Sequence, residues 1–300
     1  MKRSTLKDYK QRMLRVLLYI QQHLDEQTPL EDLARTAAFS PYHFHRIFRG
    51  MLGESVKEHI RRLRLERAAM RLKHSDMPIT RVAFEAGYES HEAFTRAFKA
   101  MRGVTPSEFR SRNGTYPQLK SLSQVHFREG GAIDDFEPMT PGGEPMEVKI
   151  ERLGPMRVAF IRHIGPYDQC GGAWEKLCAH LGKKGLLGPD TAYIGLCHDD
   201  PDVTPANKVR YDACCTVSDD FAPQGEVGVT VIDGGDYART THFGPFDKLN
   251  ETYARLMGEW LPRSGRECRS APCLEFYLTD PENTDPEDYI TDIYAPLEPE

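Results

Sequence analysis

A chain of 300 residues, 39% hydrophobic and 28% charged, has room for two domains that each bury a core. It contains no apolar run long enough to cross a bilayer and no signal-peptide pattern, and its seven cysteines are odd in number without a Cys-x-x-Cys pair. That argues against a membrane span, a disulfide framework and a zinc site, and leads us to expect a cytoplasmic protein with no metal or cofactor. The net charge of −6 hides a division: residues 1–114 hold 22 Lys/Arg against 13 Asp/Glu, a net +9, and the remainder carries −15. A basic half suits a polyanion such as double-stranded DNA, whereas the acidic half is ill suited to touching phosphate.

Residues 5–25 are predicted helical, with Leu14, Leu17, Leu18 and Leu24 among the apolar positions. Thr28-Pro-Leu-Glu31 matches a capping box with proline at the first helical position and predicts a short helix from Leu30 to Ala38. After a brief turn at Phe39, Ser40 caps a helix that Gly53 closes. Along it Phe44, Ile47, Phe48 and Met51 recur at i, i+3, i+4 and i+7 and form one buried stripe. Two helices joined so tightly, with small Ala34 and Ala37 at the close approach, form a helix-turn-helix unit. Ser55-Val-Lys-Glu58 opens a longer helix to about Lys73, and then the pattern returns. Ile79, Val82, Ala83 and Ala86 stand where Leu30, Leu33, Ala34 and Ala37 stood, and Ser90, Phe94, Arg96, Phe98 and Gly103 repeat Ser40, Phe44, Arg46, Phe48 and Gly53 at an offset of 50. The polar faces left over carry Tyr42, His43, His45, Arg46 and Arg49 in one copy and His91, Glu92, Thr95, Arg96 and Lys99 in the other. The helix between the units is roughly 28 Å long, against about 34 Å for one DNA turn, so it can hold two recognition helices over successive major-groove segments. Thr105-Pro-Ser-Glu108 caps a final short helix.

With these motifs, residues 8–113 resemble the DNA-binding domain of the AraC/XylS family of bacterial transcription regulators. The most specific stretches are Ile79-Thr-Arg-Val-Ala-Phe-Glu-Ala-Gly-Tyr-Glu-Ser90, Phe98-Lys99 and Pro106-Ser-Glu-Phe-Arg110. The resemblance implies that Tyr42, His45 and Arg46, then His91, Glu92, Thr95 and Arg96, contact base edges, and that RNA polymerase is a partner. Arginine suits bidentate bonding to guanine O6 and N7, and Thr95 suits a thymine methyl or a phosphate. Glu92 either accepts from cytosine N4 or repels phosphate.

Residues 114–145 read as a linker, with Gly130-Gly131, Pro138, Pro141-Gly-Gly143 and Pro145 among polar residues and some short strand near Val125-His-Phe127. Domains so joined are expected to reorient. The acidic part, 146–300, carries its own repeat: His163, Gly165, Pro166 and Asp168 return as His242, Gly244, Pro245 and Asp247 at an offset of 79. Each copy reads as strand, helix, strand, strand. In the first these are a run ending at Ile164, Ala173–Leu181, Tyr193–Cys197 and Val209–Val217. In the second they are a run ending at Phe243, Phe246–Leu261, Leu274–Leu278 and Tyr289–Tyr294. The fold expected is therefore an all-α double helix-turn-helix domain (1–113) followed by an α+β domain of two duplicated units with a groove between them. The vicinal Cys214-Cys215 reads as a buried strand pair, with a thiol sensor as the alternative. His163 and His242 read as residues that hold their turns.

Alternation along Cys273-Leu-Glu-Phe-Tyr-Leu278 places Leu274, Phe276 and Leu278 on one face, expected to pack beneath the helices. Cys273, Glu275 and Tyr277 take the other face, toward the groove, with Tyr193, Gly195 and Cys197 of the first copy. A glycine opposite Glu275 leaves room, and a carboxylate beside aromatic faces suits a desolvated cation. Tyr167, Trp174, Tyr211 and Phe246 are further candidates for the groove wall. Residues 146–298, with their His-x-Gly-Pro-aromatic-Asp turns, resemble the gyrase-inhibitor-like small-molecule-binding domain, which implies small aromatic or cationic effectors and associates a glutamate at this strand position with ligand. Three functions follow as expectations: an effector-responsive transcription regulator without catalysis, a small-molecule hydrolase using Glu275 with a tyrosine as base and acid, or a protein-binding module, which needs an exposed apolar surface.

Overall fold

The computed structural model describes residues 5–26, 28–112, 121–139, 145–199 and 204–300; the 114–120 and 140–144 parts of the expected linker lie outside them. Helix α1 (Leu6–Gln22) starts at a capping box between Thr5 and Asp8. Helix α2 (Leu30–Ala37) begins at Pro29 without a side-chain cap, so the expected box between Thr28 and Glu31 does not form, and proline's fixed φ alone presets the first turn. Ala38, at φ 53, closes it and leads directly to Ser40, whose hydroxyl accepts from the Tyr42 amide at the start of α3 (Pro41–Leu52). The rod α4 (Val56–His74) has the capping box Ser55/Glu58. The second unit follows as α5 (Ile79–Glu85) and α6 (His91–Arg102), and α7 (Pro106–Ser111) starts at the box Thr105/Glu108. Gly53 and Gly103 close α3 and α6 at φ 75 and 76, the left-handed turn that a side chain would strain. Among the described residues no helix is long and apolar enough to cross a membrane.

The second half forms one eight-stranded antiparallel sheet in the order β1-β6-β8-β7-β3-β4-β2-β5. The first repeat supplies β2 (Met156–Ile164), α8 (Gly171–Lys183), β3 (Tyr193–Cys197) and β4 (Arg210–Thr216). The second supplies β6 (Gly235–Phe243), α9 (Leu249–Arg255), β7 (Cys273–Tyr277) and β8 (Ile290–Pro296). Helix α9 runs on through a π-helical turn (Leu256–Trp260) into α10 (Leu261–Ser264). Two edge strands complete the sheet, β1 (Lys149–Leu153) and β5 (Gly228–Ile232), and they are themselves repeat mates at the offset of 79. Each leads its own repeat but pairs with the other one, β1 with β6 and β5 with β2, so the halves clasp each other. The β3–β7 pair joins the halves on the pseudo-twofold.

The cores do not follow the two-domain division. One apolar cluster runs from α1, α2, α3 and the start of α4 into the second repeat, joining Leu17, Phe44, Phe48 and Met51 to Leu249, Tyr253, Leu256, Met257 and Ile293. The second helix-turn-helix unit keeps a separate core around Val82, Phe94, Phe98 and Phe109, and the first repeat has another beneath α8. Segment 121–139 contains no strand at Val125–Phe127. It packs against the helical bundle: Val125 and Phe136 are buried, the Phe127 amide donates to Glu66 Oε2 at 2.7 Å, and the Met139 amide donates to Met51 O at 2.7 Å. That stretch of the connector is therefore held, because its backbone donors find partners on α3 and α4.

Candidate nucleic-acid interface and effector groove

The same helical pattern gives two different surfaces. On α6 the stripe Phe94 and Phe98 is buried, Glu92, Arg96 and Lys99 are exposed, and His91 and Thr95 are half-buried, so this helix presents the expected face to solvent. On α3 the expected face is covered. His45 is 1% exposed, and its ring Nε2 accepts from the Val56 amide at 3.4 Å, so it ties α3 to α4. Arg46 is 9% exposed, with its guanidinium 4.2 Å from the centre of the Tyr253 ring, while Tyr42 and Arg49 are half-buried. His45 and Arg46 therefore do not face solvent, because the π-helical turn and α9 pack over α3. His43 is fully buried with them. Its Nε2–H donates to Arg269 O at 3.0 Å, and burial first, then the charge of Arg46, pushes its pKa down to about 4.

At the centre of the sheet, Gly195 pairs with Glu275 across β3 and β7. A side-chain carbon on Gly195 would stand 2.6 Å from the hydroxyl oxygens of both Tyr211 and Tyr277, so the glycine makes room for two phenols rather than for open space. They belong to a hydrogen-bonded chain. Trp174 Nε1 donates to the Tyr211 hydroxyl at 3.1 Å, Tyr211 and Tyr277 hydroxyls meet at 2.8 Å, and Tyr277 donates to Glu275 Oε2 at 2.7 Å. Glu275 Oε1 accepts from the Tyr253 hydroxyl at 2.9 Å and from Cys197 Sγ at 3.2 Å. Burial, and then the nearby Glu275, push the pKa of Tyr253 and Tyr277 well above the ordinary phenol value, so both hold their protons and donate.

The other expected wall residues close around this chain. Trp174 stands edge-on to Tyr277 at 5.6 Å, Phe246 to Tyr277 at 5.3 Å and Tyr167 to Tyr211 at 5.6 Å, and Tyr193 lies 6.3 Å from Trp174. The Tyr167 hydroxyl donates to Asp199 O. One face assignment is reversed. Cys273, Glu275 and Tyr277 lie beneath the helices, whereas Leu274 and Phe276 turn away to join Val158, Ile194, Tyr237 and Tyr294. The helices and the carboxylate share a face because α9 supplies the Tyr253 donor. Sequence reading missed Tyr253, although the offset of 79 that relates the two His-Gly-Pro turns also relates Trp174 to Tyr253. His163 and His242 do hold their turns, with Nε2–H donating to Pro166 O at 3.0 Å and Pro245 O at 3.1 Å. Cys214 and Cys215 are buried on β4.

Comparison with known proteins matches residues 146–298 to the GyrI-like small molecule binding domain and residues 33–112 to a helix-turn-helix domain of AraC type. The chain belongs to the AraC-type regulators that carry a GyrI-like domain. An uncharacterized HTH-type transcriptional regulator of Bacillus subtilis (strain 168), YbfP, is 40% identical over 125 residues, 42% of this chain and 42% of its own length. The right origin-binding protein of Escherichia coli (strain K12), with the same order of modules, is 33% identical over 95 residues, 32% of this chain and 33% of its own. The chain thus spans well under half the length of these relatives. Among solved structures, the C-terminal domain of EcmrR is similar to this chain at 22% identity and a TM-score of 0.43 over 51% of this chain and 98% of that one. Within this AraC-type, GyrI-like arrangement, Glu275 sits between the two repeats and Arg46 sits where the modules meet.

Proposed function

We propose that this AraC-type chain is a DNA-binding transcription regulator whose GyrI-like groove takes a small cationic, aromatic effector. The observation that carries the effector reading is Glu275, buried between the repeats, where it accepts from Tyr253, Tyr277 and Cys197. The aromatic rings of Trp174, Tyr277 and Phe246 cluster beside this carboxylate, the surroundings that suit a desolvated cation. DNA contact rests on the family, on the basic N-terminal half and on the exposed Arg96 and Lys99 of α6, and recruitment of RNA polymerase belongs to the same family reading. The hydrolase alternative is not favoured. A catalytic acid works best with a pKa near the operating pH, whereas burial holds the Tyr211, Tyr253 and Tyr277 phenols far above it.

A thermal-shift screen of the full chain tests the groove, with aromatic cations, their neutral isosteres and anions, alongside Glu275→Gln. A cation at a hundredfold over its dissociation constant should add about 2.7 kcal/mol, and the variant should lose that gain. Equal stabilisation of the parent and of Glu275→Gln would remove Glu275 from the site.

A further inference from the structure

Helices α3 and α6 repeat each other closely, but at one interior position α3 has Gly50 where α6 has Ala100. Glycine inside a helix is less stable than alanine, so its presence calls for a contact that outweighs the loss. Gly50 meets Gly258 of the π-helical turn backbone to backbone: a side-chain carbon on Gly50 would lie 2.7 Å from Gly258 Cα, and one on Gly258 would run into the Gly50 backbone. This crossing seats the N-terminal half of α3 on the rim of the groove. Ser40 Oγ donates to Ser270 Oγ at 3.4 Å, His43 donates to Arg269 O, and the Arg46 guanidinium covers the Tyr253 ring, whose hydroxyl is bonded to Glu275. The recognition-helix arginine and the effector carboxylate are thus joined through one tyrosine.

We infer that Arg46 is the groove's resident cation, and that the effector is a planar cation of guanidinium or amidinium type that replaces it on Tyr253 and releases α3 for DNA. This rests on the groove reading above and adds the class of the ligand and its link to the DNA-binding half. A ring face holds one guanidinium at a time, and two like charges in a desolvated site repel. The ligand therefore binds the open arrangement better than the docked one. By linkage DNA that needs α3 favours the ligand in turn. Opening uncovers Tyr42, Arg46 and Arg49 together, because all three lie on the helix that the Gly50–Gly258 crossing holds down.

The test is amide hydrogen exchange across residues 41–52 of the full chain, with phenylguanidinium and its neutral analogue phenylurea, paired with equilibrium binding to a mixed-sequence DNA duplex. Phenylguanidinium should speed α3 exchange and tighten DNA binding, each by about tenfold, and phenylurea should do neither. Gly50→Ala, which α6 shows to suit this helix, should give fast exchange and tight DNA binding without ligand. Gly258→Leu, which leaves α3 unaltered, should do the same. Saturable phenylguanidinium binding that is lost in Glu275→Gln but leaves α3 protection unchanged would overturn this inference and leave the groove reading standing. Failure of every cation to bind would remove both. Persistent α3 protection in the two glycine variants would show that the crossing is not the latch.

Discussion

Helices α3 and α6 share a capping serine, a four-residue apolar stripe, an arginine on the opposite face and a closing glycine, yet Arg46 is 9% exposed and Arg96 is open to solvent. The difference lies outside both helices. The core of α3 continues into the second sheet repeat, whereas Phe94 and Phe98 pack only within their own unit. An amphipathic pattern settles which face of a helix is buried first; whether the remaining face meets water, DNA or another domain depends on what the rest of the chain brings to it. In this protein the covering element is α9 with its π-helical turn, and the position that permits it is a glycine that α6 lacks.

The separation of the two cores is the part of this contrast open to the largest measurable effect. Phe94→Ala removes a fully buried ring from the second unit and should cost about 3–5 kcal/mol there. Calorimetry should then show an early transition for residues 79–111, with the first unit and the sheet melting as before. A single lowered transition for the whole chain would show that the cores are coupled. Next is acidification of the docked face. His43 is neutral when buried, with Arg46 on its own helix and the Arg269 and Ala271 backbone and Cys273 facing it from the other module. Because its folded pKa, about 4, lies below the usual value near 6.5, the undocked state takes up the proton first. Docking should be fully stable above about pH 6.5 and lose up to about 3 kcal/mol as the pH falls toward 4. The measurement is α3 hydrogen exchange against pH, and His43→Gln should flatten the profile.

A smaller effect separates the two arginines. Without effector, Arg96→Ala should cost about 1–3 kcal/mol in affinity for the duplex, read by fluorescence anisotropy, while Arg46→Ala should not weaken binding. Equal losses would mean that α3 reaches DNA from the docked arrangement. The smallest expected effect is local to the second unit. Thr105→Ala removes the cap of α7, whose Phe109 seals the Phe98 core, and should lower only the early transition, by about 1 kcal/mol.

Local rules made much of the molecule legible. Serine and threonine caps, glycine stops and the period of the apolar residues placed the N-terminal helices, the internal repeat placed both copies of the strand-helix-strand-strand unit, and the equivalence of their third elements put Gly195 opposite Glu275. Those features depend on a residue's near neighbours in the chain or on an internal copy, so they can be read in one dimension. The exchange of β1 and β5 between the halves, the face of β7 that lies under the helices, Tyr253 as a donor to Glu275 and the covering of His45 and Arg46 were decided only in the tertiary structure. Each joins segments far apart in the chain. Arg46 and Tyr253, separated by much of the sequence, meet because two glycines let two backbones touch, and no periodicity within either helix encodes that meeting.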